Sequence, residues 1–200
     1  MDTITDFSQL DLNGTYSYAD YLKWRFQERV ELLRGKIFRM TPAPNVKHQR
    51  VAGKLYLQMS QAFAGNSCQL FFAPFDVRLY NRKKSLKASK EIFTVVQPDL
   101  CLVCDGSKLD EQGCNGAPDL VVEILSPGNT KREMKDKFEL YEEAGVREYW
   151  LVEPNDEFVL VYVLNEEERY VTHQPATKLA RSTVFPELCV DLDELFSYPK

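Results

Sequence analysis

A six-residue run, residues 120–125, places the strongest constraint on how this chain can fold. Its sequence, Leu-Val-Val-Glu-Ile-Leu, is apolar on both faces of an extended strand, with the single exception of Glu123. A strand of this kind is usually covered on both sides. A buried carboxylate is costly unless it is paired or holds a metal, so Glu123 needs a partner. The run therefore predicts a layered sheet that contains a polar site.

The residues after this run predict a strand–helix–strand unit. Residues 126–129, Ser-Pro-Gly-Asn, break the strand, and Thr130 can cap a helix that continues to about Ala144, where Gly145 ends it. Residues 148–152 are strand-like again. We therefore expect two strands joined by a helix, in a βαβ unit with its usual right-handed crossover.

Further elements are predicted on both sides of this unit. Ser17, with Asp20 three places on, has the approximate signature of a helix start, and the helix would cover residues 17–29. The other predictions are a hairpin of two strands around Arg34-Gly35, a helix over residues 48–64, strands over residues 70–80, 93–104 and 158–164, and a basic loop over residues 81–90.

Composition and charge restrict the class of protein. Lysine and arginine number 25 against 30 aspartate and glutamate, a net charge of −5. This weighs against tight nonspecific binding to nucleic acid, because that affinity comes mainly from basic side chains. It leaves a nuclease open, since a divalent cation needs carboxylates and adds positive charge that the formal count omits.

Compartment and redox state can also be predicted. No window approaches the roughly 20 apolar residues that a membrane span needs, and the N-terminal residues lack the features of a signal peptide. We therefore expect a cytoplasmic protein without a membrane partner. Five cysteines at irregular spacing favour reduced thiols, so no disulfide is expected.

The spacing of acidic residues selects which of them could share a metal ion. Asp119 and Glu123 lie on one face of the same strand but about 13 Å apart, too far to chelate one small ion. Asp99, on the preceding strand, can share an ion with Glu123 if the two strands are neighbours in register. Lys137 lies at the edge of the inward face of the following helix, near Tyr141.

Two carboxylates and an inward ammonium are what metal-assisted phosphodiester hydrolysis requires. The carboxylates bind magnesium, and the cation steadies the attacking water or the charge that develops on the phosphate. The alternative is a structural ion pair between Glu123 and Lys137, with Asp99 as an ordinary strand-start residue. Spacing alone does not separate the two interpretations.

Several motifs together resemble one known family. They are Gln97-Pro98-Asp99, residues 118–127, Lys137 and residues 141–152, with earlier landmarks at residues 31–35 and 48–52. Over residues 17–164 the chain resembles the Uma-two-type restriction endonuclease family of the PD-(D/E)XK nuclease superfamily. The resemblance implies an α/β fold with a restriction-endonuclease-like core (αβββαβ, a mixed central sheet flanked by helices), preceded by a helix and a hairpin. We expect a single nuclease-like domain over residues 1–200, with residues 165–200 as a C-terminal extension.

The resemblance also implies a set of site residues. Asp99 and Glu123 match the two acidic positions of the superfamily, and Ile124 would contribute its backbone carbonyl to the metal. The superfamily has a lysine two positions after the second acid, where this chain has Leu125. The resemblance implies that Lys137 has taken over that role. Glu31 matches an additional acidic position of the family.

Other candidates have weaker support. His48 and Gln49, at a helix start, could orient a phosphate or a water, although local hydrogen bonding is the commoner role there. Cys101 and Cys104 have a zinc-like spacing, but alternation along the strand sends the thiols to opposite faces, which argues against zinc. Tyr141 is either accessory to the site or part of the core. Arg78 is expected to pair with Asp76, and the basic loop is expected to be solvated surface, with contact to a phosphate backbone as the alternative.

The leading hypothesis is a magnesium-dependent DNA endonuclease, with manganese as an alternative cofactor. Asp99, Glu123 and Ile124 would hold the metal, and Glu31, Asp99, Glu123 and Lys137 would form the catalytic set. A symmetric homodimer is open, since nucleases that cut both strands often form one. Two other functions are carried forward: a noncatalytic nucleic-acid-binding or interaction module on the same fold, and glycoside hydrolysis by paired carboxylates, which would leave Lys137 without a role.

Overall fold

The computed structural model describes residues 3–40, 45–80, 92–128 and 130–198. The helices of these segments are α1 (Tyr18–Tyr21), α2 (Val46–Ala62), α3 (Lys131–Ala144) and α4 (Leu192–Phe196). The strands are β1 (Val30–Leu33), β2 (Lys36–Arg39), β3 (Gln69–Phe72), β4 (Val77–Leu79), β5 (Thr94–Val96), β6 (Leu100–Val103), β7 (Leu109–Asp110), β8 (Gly113–Asn115), β9 (Leu120–Ile124), β10 (Glu148–Glu153), β11 (Phe158–Leu164), β12 (Tyr170–Thr172), β13 (Leu179–Arg181) and β14 (Cys189–Asp191). Residues 81–90, predicted as a basic loop, lie outside the described residues.

Within the described residues, the strands form two six-stranded sheets and one two-stranded sheet. The first has the order β2-β1-β5-β4-β8-β7, and the second has the order β12-β11-β10-β9-β6-β3. In the second sheet β9 and β10 are parallel, while the other pairs are antiparallel. The sheet is therefore mixed, and the predicted βαβ unit of β9, α3 and β10 forms its centre.

The two long helices begin and end where local chemistry predicts. The Asn45 side chain caps α2 by accepting a hydrogen bond from the backbone N–H of His48, and the Thr130 side chain caps α3 in the same way. Gly145 ends α3 with φ of 84°, a left-handed conformation that glycine adopts without steric cost. The predicted helix at residues 48–64 thus occupies Val46–Ala62, and the predicted end of α3 is confirmed.

The second sheet is covered on both faces, as the apolar run in β9 predicts. Because side chains alternate along a strand, Leu120 and Val122 face one side and Val121 faces the other. The first side packs against α2 and the C-terminal segment, and the second packs against α3, including Leu140 and Tyr141. Glu123 is therefore directed toward α3 from a strand that is otherwise apolar.

Three predicted elements differ in length or number from those observed. The predicted strands at 70–80 and 93–104 are each two strands, one in each sheet: β3 and β4, and β5 and β6. The helix predicted over residues 17–29 is only α1. Ser17 and Asp20 form the predicted capping box, but Trp24 and Phe26 stack on each other in an aromatic core that ends the helix early. Tertiary packing here overrides helix propensity.

The expectation of no disulfide is wrong in this structure. Cys68 and Cys104 are bonded, at a sequence separation of 36. The cause is the antiparallel register of β3 and β6, in which Gln69 pairs with Val103, so the next positions outward also face each other. Cys101 is a buried free thiol on the opposite face, which agrees with the argument against a zinc site. None of the described helices is long and apolar enough to cross a membrane.

Candidate active site

Four charged residues from four separate elements converge at one place. Glu31 lies on β1, Asp99 immediately precedes β6, Glu123 lies on β9 and Lys137 lies on α3. The ammonium nitrogen of Lys137 is 2.9 Å from Oε1 of Glu123 and 3.1 Å from Oε1 of Glu31. The side chains of Lys137 and Glu31 are only 8% and 3% exposed. Lys137 therefore bridges the two sheets by binding a carboxylate from each.

Asp99 and Glu123 lie opposite each other on neighbouring strands. β6 and β9 are antiparallel, and Leu100 pairs with Val122, so one step further the register places Asp99 across from Glu123. Residues directly opposite in such a pair have Cα atoms about 5 Å apart. Oδ2 of Asp99 accepts a hydrogen bond of 2.7 Å from the backbone N–H of Ile124. The sequence analysis required Asp99 and Glu123 to lie on neighbouring strands in register, and they do.

Glu31 reaches the cluster because β1 pairs with β5 in the first sheet. Its Oε1 accepts a hydrogen bond of 2.7 Å from the backbone N–H of Gln97, just after β5. The same oxygen contacts the ammonium of Lys137. This carboxylate oxygen is thus held by two donors and orients Lys137 from the side opposite Glu123.

Tyr141 is part of the cluster and also part of the core. It lies one helical turn after Lys137, so both side chains project from the same face of α3. Its hydroxyl donates a hydrogen bond of 2.6 Å to Oε1 of Glu123. Glu123 therefore receives two donors from α3, one charged and one neutral.

The cluster carries more negative than positive charge, and the pKa values reflect this. Burial raises the pKa of Glu123 to about 7; Lys137 opposes this shift, whereas the charges on Asp99 and Glu31 add to it. Burial alone would lower the pKa of Lys137, but the carboxylates of Glu123 and Glu31 outweigh it, so that pKa is raised. Lys137 is accordingly charged at neutral pH, and Glu123 takes up a proton near neutrality.

His48 and Gln49 lie at the start of α2, the helix that packs on the other face of the sheet. Nε2 of His48 is 3.3 Å from Oδ2 of Asp99. Burial lowers the pKa of His48, but its hydrogen bond and attraction to Asp99, with contributions from Ile124 and Glu123, outweigh burial and raise it. Nδ1 of His48 is buried without a hydrogen-bond partner among the described residues. Gln49 is exposed.

A cleft of about 190 Å³ opens over these groups. Its lining comes from α2, α3, β9 and residues at the ends of several other strands. The residues are Arg29, Met40, His48, Gln49, Ala52, Phe72, Ala73, Gln97, Asp99, Glu123, Ile124, Ser126, Glu133 and Lys137. Glu31 and Tyr141 do not line the cleft but bind lining residues, Lys137 and Glu123. All eight residues singled out from the sequence therefore lie in or directly beneath one cleft.

The donor set suits a hard divalent cation bound by few protein ligands. Among the described residues, no group of three or more histidine, cysteine, aspartate or glutamate side chains has the arrangement of a metal site. Magnesium often uses only one or two carboxylates and takes its remaining ligands from water and substrate phosphates. Asp99 and Glu123 fit this requirement, and the charges of Asp99 and Glu31 add to the rise that burial causes in the pKa of Glu123.

Gln97 and Arg29 are among the cleft residues that were given no role from the sequence. Gln97 belongs to the motif before Asp99, and Arg29 stands two positions before Glu31. In each case strand alternation places the residue on the face of its acidic neighbour, and this was the available signal.

The predicted pair of Arg78 with Asp76 is wrong. Arg78 instead binds Asp110 at 2.6 Å, because the hairpin of β7 and β8 brings Asp110 alongside β4.

Comparison with known proteins gives a family and a fold. The model of the Uma2 family, described as "Putative restriction endonuclease", matches residues 18–193. A crystal structure described as "a putative nuclease belonging to DUF820 from Anabaena variabilis ATCC 29413" is similar, with a TM-score of 0.68 and 20% sequence identity. The similarity covers 90% of this chain and 97% of that chain. No curated protein matches. The structural similarity shows the fold, a mixed α/β architecture of the restriction-endonuclease-like type.

Proposed function

Because the chain belongs to the Uma2 family of restriction-endonuclease-like proteins, we propose that it is a magnesium-dependent endonuclease that hydrolyses phosphodiester bonds in DNA. Proteins of the restriction-endonuclease-like type generally use divalent metals. The observation that carries the proposal is the convergence of Asp99, Glu123 and Lys137 in a single cleft. Manganese is the natural substitute for magnesium at such an oxygen-ligand site.

Asp99 and Glu123 would hold the metal, with the backbone carbonyl of Ile124 as a further oxygen ligand. When bound, the metal would supply Lewis acidity beside the scissile phosphate and favour ionisation of a water. The protein keeps the two carboxylates in place before metal binds. Asp99 is anchored by the backbone N–H of Ile124 and by His48, and Glu123 is anchored by Tyr141 and Lys137.

Lys137 would orient the attacking water or stabilise the charge that develops on the phosphate. An ammonium has three N–H donors. Two are directed at Glu31 and Glu123, which leaves one for a water or a phosphate oxygen in the cleft. Glu31 contributes by keeping this ammonium charged and directed. A preorganised donor of this kind is typically worth 100-fold or more in rate.

His48 and Gln49 would act as accessory residues at the cleft wall. The imidazole of His48 would position Asp99 through Nε2. Gln49 lines the cleft and is exposed, so its amide can reach a bound strand. A symmetric dimer would present two clefts to a duplex, and light scattering with and without DNA measures this directly.

A cytoplasmic location is part of this proposal. Stable disulfides are rare in that compartment, so the Cys68–Cys104 bond bears on the same question. The redox state of these two cysteines in cells, measured by thiol trapping, tests the location together with the bond.

The decisive experiment is cleavage of duplex DNA, single-stranded DNA and RNA with magnesium or manganese. The test variant is Asp99→Asn, and the matched control is Asp105→Asn, an exposed carboxylate after the far end of β6. We expect DNA cleavage by the wild type and the control, and loss of roughly 100-fold or more in Asp99→Asn. Excess chelator should abolish cleavage.

Three results would contradict the proposal. Cleavage that persists in Asp99→Asn, or in excess chelator, would remove this cluster from the mechanism. Cleavage of RNA alone would change the substrate. Binding of nucleic acid without cleavage by the wild type would favour a noncatalytic binding module on the same fold.

A further inference from the structure

Arg29 is a cation of the cleft that the proposed chemistry does not use. It precedes β1 by one residue and Glu31 by two, so strand alternation directs both side chains to the same face. Its backbone oxygen accepts a hydrogen bond of 2.9 Å from the N–H of Met40, which extends the hairpin of β1 and β2 by one pair. The backbone of Arg29 is therefore fixed, and its side chain lines the cleft.

The guanidinium of Arg29 lacks the carboxylate partner that several other described arginines have. Within the described segments, it has no carboxylate at ion-pair distance. Its contact is a hydrogen bond of 2.7 Å to Oε1 of Gln97. Several other arginines are engaged by a carboxylate: Arg34 by Glu143, Arg39 by Glu28, Arg78 by Asp110, Arg147 by Asp119 and Arg169 by Glu142. A guanidinium has five donors, and within the described part of the chain Gln97 accepts from Arg29, which leaves most of those donors without a described protein acceptor.

Gln97 holds this guanidinium in one orientation. Its side-chain nitrogen donates a hydrogen bond of 2.8 Å to Oδ1 of Asp76, a half-buried carboxylate that can only accept while it is ionised. The amide oxygen of Gln97 must then face Arg29. The backbone N–H of Gln97 donates a hydrogen bond to Glu31 of the proposed catalytic cluster. A single residue therefore connects Arg29, Asp76 and Glu31.

We propose that Arg29 binds a non-bridging phosphate oxygen of the nucleic-acid strand in the cleft, and that Gln97 is the positioning residue that aims it. This inference rests on the proposed function and names the residue that receives the substrate phosphate. The planar guanidinium matches the geometry of a phosphate and can bind two of its oxygens. The cleft is also lined by the basic residues His48 and Lys137. Lys137 is already engaged by two carboxylates.

Electrostatics gives the same assignment. Asp99, Glu123 and Glu133 line the cleft, so a bound phosphate approaches a region of negative charge. A metal would offset this charge only at its own position. A second cation would hold the nucleic-acid strand in place along the cleft. Arg29 reaches the cleft from the hairpin, on a different element from Glu123 and Lys137.

The test is binding without cleavage. A short fluorescein-labelled DNA duplex is titrated in calcium buffer, and fluorescence anisotropy is measured at several salt concentrations. Each phosphate contact contributes about 0.9 to the slope of log K against log salt. We expect Arg29→Gln to weaken binding about tenfold and to reduce the slope by about one contact. The control is Arg39→Gln on the same hairpin, which loses an exposed pair with Glu28 and a contact with the ring of Phe7, both outside the cleft, and should keep the wild-type slope.

The variant Gln97→Leu distinguishes the orientation of the Arg29 guanidinium from its charge. It retains the guanidinium, so the salt slope should change little, while affinity falls by a smaller factor than in Arg29→Gln. Urea unfolding of each variant shows whether an effect follows lost stability. An Arg29→Gln protein with wild-type slope and affinity would overturn the inference, and so would an equal loss in Arg39→Gln.

The outcomes for the inference and for the proposed function are distinct. A wild type that binds DNA through Arg29 but cleaves no nucleic acid contradicts the proposed function and supports the phosphate contact. A wild type that cleaves DNA while Arg29→Gln keeps its KM and salt slope contradicts the phosphate contact alone. Absence of all binding by the folded wild type overturns both.

Discussion

The ammonium nitrogen of Lys137 lies 2.9 Å from Oε1 of Glu123, although the two residues are 14 positions apart and belong to a helix and a strand. The usual superfamily arrangement, to which the sequence motifs point, carries the lysine on the strand itself. Here Leu125 occupies that position, and a helix packed on the strand supplies the ammonium. The same helix turn supplies Tyr141, so α3 determines the environment of Glu123.

Replacing Lys137 by methionine should cost both activity and stability. Cleavage should fall by about 100-fold or more, because the donor to the reacting groups is lost. The free energy of unfolding at pH 8 should fall by about 3 kcal/mol, since Glu31 and Glu123 would be buried without their cation. The control is Lys135→Met, an exposed lysine on the same helix, which should change stability by less than about 0.5 kcal/mol. Full cleavage by Lys137→Met would refute the proposed role.

The stability of the metal-free protein should fall as the pH rises toward 8. The pKa of Glu123 in the folded chain is about 7 against an ordinary value of 4.5, so the folded state holds a proton that the unfolded state releases. The stability linked to this proton is fully present below about pH 4.5 and is lost as the pH rises through about 7. The change is on the order of 3 kcal/mol. Urea unfolding across this range measures it, and Glu123→Gln should flatten the curve.

Adding manganese near pH 7 should release protons, because the metal requires the carboxylate form of Glu123. An indicator dye in a weakly buffered solution measures the number of protons released. Glu123→Gln should release fewer protons than the wild type. Equal release from the two proteins would show that another group titrates.

Tyr141→Phe should shift metal binding to higher pH. The hydroxyl of Tyr141 lowers the pKa of Glu123 by donating to it, so removal of the hydroxyl raises that pKa further. The stability cost should be about 1 kcal/mol, the ordinary value for one lost hydrogen bond. Manganese affinity measured as a function of pH tests the shift. Tyr162→Phe, in the neighbouring aromatic cluster on β11, is the matched control and should leave the pH dependence unchanged.

Loss of the Cys68–Cys104 bond should reduce stability and leave the cleft intact. Cys68→Ser should lower the free energy of unfolding by about 2–4 kcal/mol in the absence of reductant, and by little in its presence. Cleavage by the folded protein should persist, because Cys104 follows the end of β6 opposite to Asp99. Cys189→Ser, a half-buried free thiol, is the control. Five reactive thiols in the unreduced, denatured protein would show that the bond does not form.

Local patterns in the sequence were sufficient for the centre of the molecule. The βαβ unit follows from an apolar strand, a capping threonine and a terminating glycine, and each of these signals acts over a few neighbouring residues. The covered faces of β9 follow from alternation alone. The pairing of Asp99 with Glu123 was predicted only as a condition, because alternation assigns a face but leaves register undetermined.

Contacts between distant segments required the tertiary structure. The predicted strands at 70–80 and 93–104 are each divided between two sheets, since strand pairing depends on partners far away in sequence. The same long-range pairing bonds Cys68 to Cys104 and brings Gln97 to Glu31. By itself the sequence determined the strand, the helix and the residue types of the site. Only the packing of two sheets around α3 decided that Lys137 would meet both carboxylates, because those contacts exist only once the chain has closed on itself.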